Sequence, residues 1–374
     1  MNPQIYAAES IFPGHPDKLS DAIADALVQE AHLREPRALV GVEVAVHRDH
    51  VYITGRIGCL GADEIDVQGI VANVYKSAGY GNGWYPAPDQ VKVISNLCLG
   101  SLEDGEAEFR ELSDDQAICI GYANNLAPSN HLPVEQWLVA RLAKRLHRLR
   151  VEYPSLELGP DGKVLIAVTE SQDSSQPTWT LSHFSCSLQQ RTVSDEVALH
   201  RAVRVALEGE LRQAAIELPG LSGDLPDQLT VNGAGAFEVG GPEGDNGLSG
   251  KKLVVDAYGP RVPIGGGAWS GKDFFKADRA GGMHARRLAK AIVQLGLAEE
   301  AQVFLGWFPG DRSARLLRAT GADGRSLEIA QLVKHFDLSL KKSGESFCVN
   351  HLVELARWGH FTDLNFPWEV FGLL

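Results

Sequence analysis

Two stretches of this 374-residue chain combine residue types suited to charged oxygen atoms. Gly14-His15-Pro16-Asp17-Lys18 places an imidazole, a carboxylate and an ammonium within a few residues of one another. Such a set can hold a leaving-group oxygen, a hard cation and a phosphate respectively. The plainer alternative is a capped helix start beside a solvated lysine. Between Asp245 and Arg279 the local charge reverses: Lys251, Lys252, Arg261, Lys272, Lys276 and Arg279 outnumber four aspartates, in a chain of formal net charge −13. These cations are interleaved with Gly240-Gly241-Pro242, Gly244, Gly247, Gly250, Gly265-Gly266-Gly267 and Gly271. Glycine lets backbone N–H groups approach a ligand closely, and consecutive amides can form an anion-binding nest. Glycine turns with solvated lysines on them are the competing reading. Gly266 to Lys272 also has the G-x-x-x-x-G-K spacing of a P-loop, but Asp273 follows where a Ser or Thr must hold magnesium. With no clear strand leading into it, that reading fails. What survives is its physical content, a turn that presents a lysine to phosphate.

The rest of the chain must position these groups. Its length favours two or three domains with ample core. A hydrophobic content of 44% and a charged content of 22% exclude a largely disordered chain. The acidic balance argues against general nucleic-acid or anionic-membrane binding. The opening residues lack an apolar signal core, and no stretch reaches the length of a spanning helix. Cys59, Cys98, Cys119, Cys186 and Cys348 are scattered without a CxxC pair. They read as reduced thiols of a cytoplasmic protein.

Leu19, Ile23, Ala26 and Leu27 fall on one face of a helix predicted over Asp17–Glu30. Alternating valines from Val40 to Val46, then Val51 and Ile53, predict a hairpin turning at His47-Arg48-Asp49-His50. The acidic, aperiodic stretch Leu102 to Asp115 reads as a mobile loop. Leu138, Leu142, Leu146 and Leu149 predict a second helix. A turn at Gly159-Pro160-Asp161-Gly162 precedes a predicted strand at 164–168, and a further helix is expected over 194–217. A linker at 221–228, a strand at 253–255 and a helix near 280–297 complete the reading. Without regular βαβ alternation, this mixture points to an α+β fold.

Taken in order, the motifs closely resemble the S-adenosylmethionine synthetase (methionine adenosyltransferase) family. Glu9-Ser10, the 14–18 motif and Gly121-Tyr122-Ala123 resemble its N-terminal half. Gly240 to Lys252 is similar to its GGPxGDxGLTGRK segment, and Gly265 to Asp273 with Lys276, Asp278 and Arg279 to its GGGAFSGKD…K.DR segment. Gly359-His360-Phe361 and Phe366-Pro367-Trp368-Glu369 resemble its C-terminal end. The resemblance implies three similar α+β domains, taken as residues 1–102, 113–225 and 227–374. They would pack as a homodimer, or a dimer of dimers, with interfacial active sites. It also implies the reaction: methionine sulfur displaces triphosphate from C5′ of ATP, and the triphosphate is cleaved to pyrophosphate and phosphate. Mg²⁺ and K⁺ are the implied cofactors.

Carried over residue by residue, the resemblance makes His15, Lys163, Lys252 and Lys272 the catalytic groups, with His15 at the triphosphate–ribose oxygen. Asp17 and Asp278 would serve Mg²⁺, and Glu43 would serve K⁺. Lys18, Asp115, Asp161, Phe237, Asp245, Lys251, Ala268, Lys276 and Arg279 would contact the nucleotide, Phe237 by stacking near adenine. Asp245 and Lys276 would also reach the amino acid. The acceptor side departs from the family pattern. Arg56 stands where the family has a glutamate for the methionine ammonium, which is a charge reversal. Gly100 replaces a glutamine at the start of a gating loop, and 102–113 is short for that loop. Trp307 and Phe308 replace smaller apolar residues, Ala236 replaces an arginine, and Lys251 replaces an arginine without its bidentate fork. Two readings stay open: a methionine adenosyltransferase, or a paralogue with the same ATP chemistry on another thioether or nucleophile. A non-catalytic regulatory partner is a third class.

Overall fold

The computed structural model describes residues 3–172, 177–191, 195–348 and 350–370. Its strands in chain order are β1 Gln4–Ile11, β2 Leu39–His47, β3 His50–Gly58, β4 Lys92–Gly100 and β5 Ala117–Asn124. They continue as β6 Leu158–Ser171, β7 Thr178–Gln190, β8 Gln228–Val231, β9 Gly247–Leu248, β10 Glu300–Trp307 and β11 Arg315–Thr320. The helices are α1 Pro16–Arg34, α2 Val67–Ala78, α3 Glu106–Phe109, α4 Val134–His147, α5 Leu149–Glu152 and α6 Glu196–Glu217. After these come α7 Leu253–Asp256, α8 Ala277–Gln294, α9 Ala330–Val333, α10 Leu340–Ser346 and α11 Leu352–Trp358.

The strands form three sheets of order β1-β6-β7-β8, β4-β3-β2-β9 and β11-β10-β5. Helices α4 and α6 serve the first, α1 and α2 the second, and α8 the third, giving three similar α+β layers. Period-two alternation explains the second sheet. Val40, Val42, Val44 and Val46 are all buried on the face that meets Leu19, Ile23 and Leu27 of α1. Burial of each such side chain contributes about 1.5–3 kcal/mol. The hairpin closes on the His47–His50 pair, with Arg48 in the left-handed region (φ 52°) as a two-residue turn requires. Opposite the helices each sheet leaves apolar side chains open: Leu165, then Tyr52 and Ile94, then Ile118 and Leu317.

The sheets do not follow contiguous thirds of the chain. β1 pairs along its whole length with β6, and β5 pairs likewise with β10. The spans 1–102, 113–225 and 227–374 thus lend or borrow a strand, and we propose them as units of sequence rather than separately closed folds. Several local expectations are corrected. Residues 159–162 lie inside β6, where the register shifts against β7, because an irregular strand carries the same Gly-Pro-Asp-Gly signature as a turn. Residues 253–255 belong to the short helix α7, three apolar residues being too few to set a period. The helix expected from Ser194 begins at Glu196 behind the Asp195 cap; Ser194 lies outside the described residues. The 102–115 stretch contains α3 and is tethered along its length. Arg56 donates to Glu106 (2.8 Å), Arg37 to the Ala107 carbonyl (2.7 Å), and Arg110 pairs with Asp273. The Ser113 amide donates to the Asp311 carbonyl (2.8 Å).

Two buried histidines predict acid sensitivity. Burial, with Arg287 nearby, takes His284 down to about 3, and burial with Arg150 and Arg357 takes His147 down to about 4. Between those values and 6.5 the unfolded chain binds the protons and the folded one does not, so stability rises with pH across that window and is lost on acidification. Asp161, raised to about 6 chiefly by burial, opposes this between 3.8 and 6. So do the Asp21, Asp256, Glu135 and Glu300 carboxyls, which burial also raises. His15, His32, His131 and His360, lowered by burial, add to the histidine side. The urea midpoint should therefore fall steadily below pH 6.5; a midpoint flat down to pH 4 would contradict the assignment.

Candidate active site

The start of α1 is built to aim an imidazole. His15 is the N-cap and Pro16 the first helical residue, whose missing N–H costs the helix nothing. The His15 Nδ1 accepts the Asp17 amide (3.2 Å), so Nε2 carries the ring proton. His15 is 2% exposed, and that Nε2 has no hydrogen-bond partner among the described residues. Burial pushes its pKa down to about 3, helped by the positive charges of Lys163, Lys252, Lys251 and Lys18. A buried neutral donor is thus aimed into a basic surround.

Each wall of that surround comes from a different element. Lys163 is an exposed residue of β6, an inner strand, between Ile11 of β1 and Ser187 of β7. Asp161, two residues earlier, accepts the Gly241 amide (2.8 Å). Lys252 reaches Glu9 of β1 (3.2 Å), and Lys251 stands 3.5 Å from Asp17. Asp17 also accepts the Leu248 amide (3.1 Å), which ties the 240–252 segment to the helix. Glu43, on the open face of β2, accepts the Ser249 hydroxyl (2.6 Å). Asp245 is exposed and bonds its own neighbour's amide, and Phe237 borders a cavity of about 130 Å³ with Gln190 and Asn232.

A second group gathers on the far glycine segment. Lys272 pairs with Asp278 (2.6 Å) and Lys276 with Asp114 (2.7 Å). Asp115, Gly266, Gly267, Asp278, Trp307 and Phe308 line a cavity of about 560 Å³. Ala268 lies against Gly250, so the two glycine segments touch. The chain therefore brings His15, Asp17, Lys163, Lys251 and Lys252 together, and separately Asp115, Lys272, Lys276 and Asp278.

Four residues expected at the site have other partners in the structure. Lys18, 1% exposed, is bound to Asp256 and the Ala356 carbonyl, so its ammonium is held in a core ion pair. Arg279 is wholly buried and holds Asp25 with two hydrogen bonds (2.7 and 2.8 Å). Arg56 faces Glu106, not an open acceptor pocket, and Gly100 ends β4 opposite Gly58. Sequence reasoning passed over Asp21, Asp25 and Glu106. The four-residue spacing of Asp17, Asp21 and Asp25 was a usable signal, since it stacks them on one helix face.

Among the described residues no three His, Cys, Asp or Glu side chains cluster to form an all-protein cation cage. Mg²⁺ bound with a nucleotide needs only one or two carboxylates beside phosphate oxygens. Asp17 and Asp278, each in its own basic group, fit that demand.

Two family models match the chain. The S-adenosylmethionine synthetase N-terminal domain covers residues 3–99, and the C-terminal domain covers 239–370. Proteins named S-adenosylmethionine synthase are similar along nearly the whole length. That of Thermosynechococcus vestitus is 31% identical over 98% of this chain and 95% of its own. Those of Deinococcus deserti and Desulforudis audaxviator are each 32% identical, over 98% and 99% of this chain and 96% of theirs.

Proposed function

The chain belongs to the S-adenosylmethionine synthetase family, and from that premise we propose that it transfers the adenosyl group of ATP to L-methionine. The sulfur lone pair forms the bond to C5′, and the C5′–O electron pair leaves with the triphosphate. Water then cleaves the triphosphate to pyrophosphate and phosphate. The hard part is a leaving group that carries about four negative charges. The observation that carries the reading is the uncommitted Nε2–H of His15 among Lys163, Lys251 and Lys252. A donor preorganised where charge develops stabilises the transition state more than the bound substrate. His15 would donate to the departing oxygen, and the lysines would hold the phosphates. Holding sulfur in line with C5′ supplies much of the remaining acceleration.

Asp17 and Asp278 would hold Mg²⁺ and Glu43 would hold K⁺. Mg²⁺, when bound, neutralises phosphate charge that the lysines share. Asp161, Asp245 and Phe237 would hold the nucleoside, with Asp115, Ala268 and Lys276 completing the nucleotide and acceptor pocket. Methionine is the favoured acceptor. Arg56 carries the reversed charge that suggested another nucleophile, but Glu106 neutralises it at 2.8 Å and puts a carboxylate back beside that position. The open apolar faces of the three sheets support a homodimer in which one subunit's His15 group meets the partner's Lys272 group. The absence of any described helix long and apolar enough to cross a membrane, with free cysteines throughout, supports a cytoplasmic setting.

Subunit mixing tests the shared site. His15→Ala and Lys272→Ala proteins, each nearly inactive alone, should on exchange of subunits regain about a quarter of the wild-type activity, because half the dimers are mixed and each carries one intact site. No recovery after demonstrated exchange would mean that both residues act within one chain. Failure of the wild-type protein to make S-adenosylmethionine from ATP and methionine would overturn the activity itself.

A further inference from the structure

Helix α1 carries carboxylates at Asp17, Asp21 and Asp25, a spacing that stacks them on one face. All three are buried, at 1%, 0% and 0% exposure. Buried carboxylates are costly without partners, and here each is met by a backbone amide of a glycine segment. Leu248 donates to Asp17 (3.1 Å), Gly250 to Asp21 (2.8 Å) and Gly271 to Asp25 (3.0 Å). Directly after the second and third of these amides come the cations, Lys251 and Lys252 after Gly250, and Lys272 after Gly271. The approach leaves no room for a side chain. Both glycines have left-handed φ (75° and 85°), and a Cβ on them would lie 2.4 Å from Ala268 Cβ and 2.3 Å from the Val42 carbonyl oxygen. Arg279 completes the last rung, gripping Asp25 and donating to the Lys272 carbonyl (2.8 Å).

We propose that Asp21 and Asp25 are positioning residues for adenosyl transfer: α1 is a ruler that fixes Lys251 and Lys252 relative to His15 and Asp17 of the same site, and sets Lys272 at the spacing from which it meets the partner's site. Eight helical residues rise about 12 Å, so the first and third rungs set the distance between the two basic groups of one chain. The proposal rests on the reading that these lysines take the triphosphate. Asp21 is its clean probe. Its closest cation is Lys18 at 3.9 Å, which Asp256 already holds, so its strong contact is the Gly250 amide.

Inorganic tripolyphosphate with Mg²⁺ serves as the probe ligand in calorimetry on the full chain, beside steady-state turnover and thermal melting. Asp21→Ala removes the acceptor, and Asp21→Leu removes it while filling the space, which covers the case where the alanine cavity unfolds the protein. Asp21→Asn keeps an acceptor oxygen. In the two apolar variants kcat should fall roughly 10- to 100-fold, as a misplacement of about 1 Å would cause, and tripolyphosphate should bind about tenfold more weakly. Asp21→Asn should restore both to within about threefold, a rescue that a purely structural role does not require. A folded Asp21→Leu or Asp21→Ala protein with wild-type kcat and tripolyphosphate affinity overturns the proposal, as does an Asn variant as impaired as the apolar ones. If wild-type protein binds tripolyphosphate while the variants are unaffected, only the ruler fails. If wild-type protein does not bind it, the reading of the lysines fails and the ruler with it.

Discussion

Replacing His15 with alanine should lower turnover at saturating ATP and methionine by roughly 10²–10³-fold, the cost of removing one preorganised donor from a developing oxyanion. ATP affinity should change by less than about tenfold, since an interaction made mainly in the transition state appears in kcat rather than in ground-state binding. The structural ground is the division of labour on the ring. Nδ1 is consumed by the Asp17 amide, and Nε2 is left buried, without a partner among the described residues, beside Lys163, Lys251 and Lys252. Calorimetry with a non-reactive ATP analogue, beside steady-state kinetics, checks the split. Equal losses of binding and turnover would remove His15 from the leaving-group role.

Lys272→Ala should also cost roughly 10²–10³-fold in turnover, through lost stabilisation of the departing triphosphate. Lys272 is held more firmly than a surface lysine. Its side chain pairs with Asp278 at 2.6 Å, its carbonyl accepts from Arg279, and the preceding amide is fixed by Asp25. Its removal also leaves Asp278 without its cation, so the site becomes more negative where a polyanion must sit. Lys272→Arg should recover only part of the loss, because a guanidinium keeps the charge but is a wide planar fork in place of a compact point charge. Turnover unchanged in Lys272→Ala at saturating ATP would contradict the assignment.

Much of the site was readable from the order of residues alone. The 14–18 motif and the glycine segments announce themselves because close backbone approach and phosphate charge restrict which residues can serve. The hairpin at 47–50 and helix α1 were equally plain, since period and turn chemistry are local. What escaped is non-local. Nothing in Gln4–Ile11 says that it pairs with residues 163–170, and nothing in Ala117–Asn124 points to residues 300–307. Lys18 and Arg279 look like any motif cation until Asp256 and Asp25 are found against them. Arg56 looks like a break in the acceptor pocket until Glu106, fifty residues on, is seen to answer it. The pattern of α1 is set by its leucines and isoleucine, and nothing local says that Asp21 and Asp25 are among the most buried residues of the helix.

The lent strands have a consequence for biosynthesis. When the first hundred or so residues leave the ribosome, β1 has no β6 to join, and β5 waits longer still for β10. An unpaired edge of this kind invites pairing with other nascent chains. Fragments cut at either sequence boundary would each keep an orphaned strand, so the polypeptide reaches its native state as a whole, late and slowly.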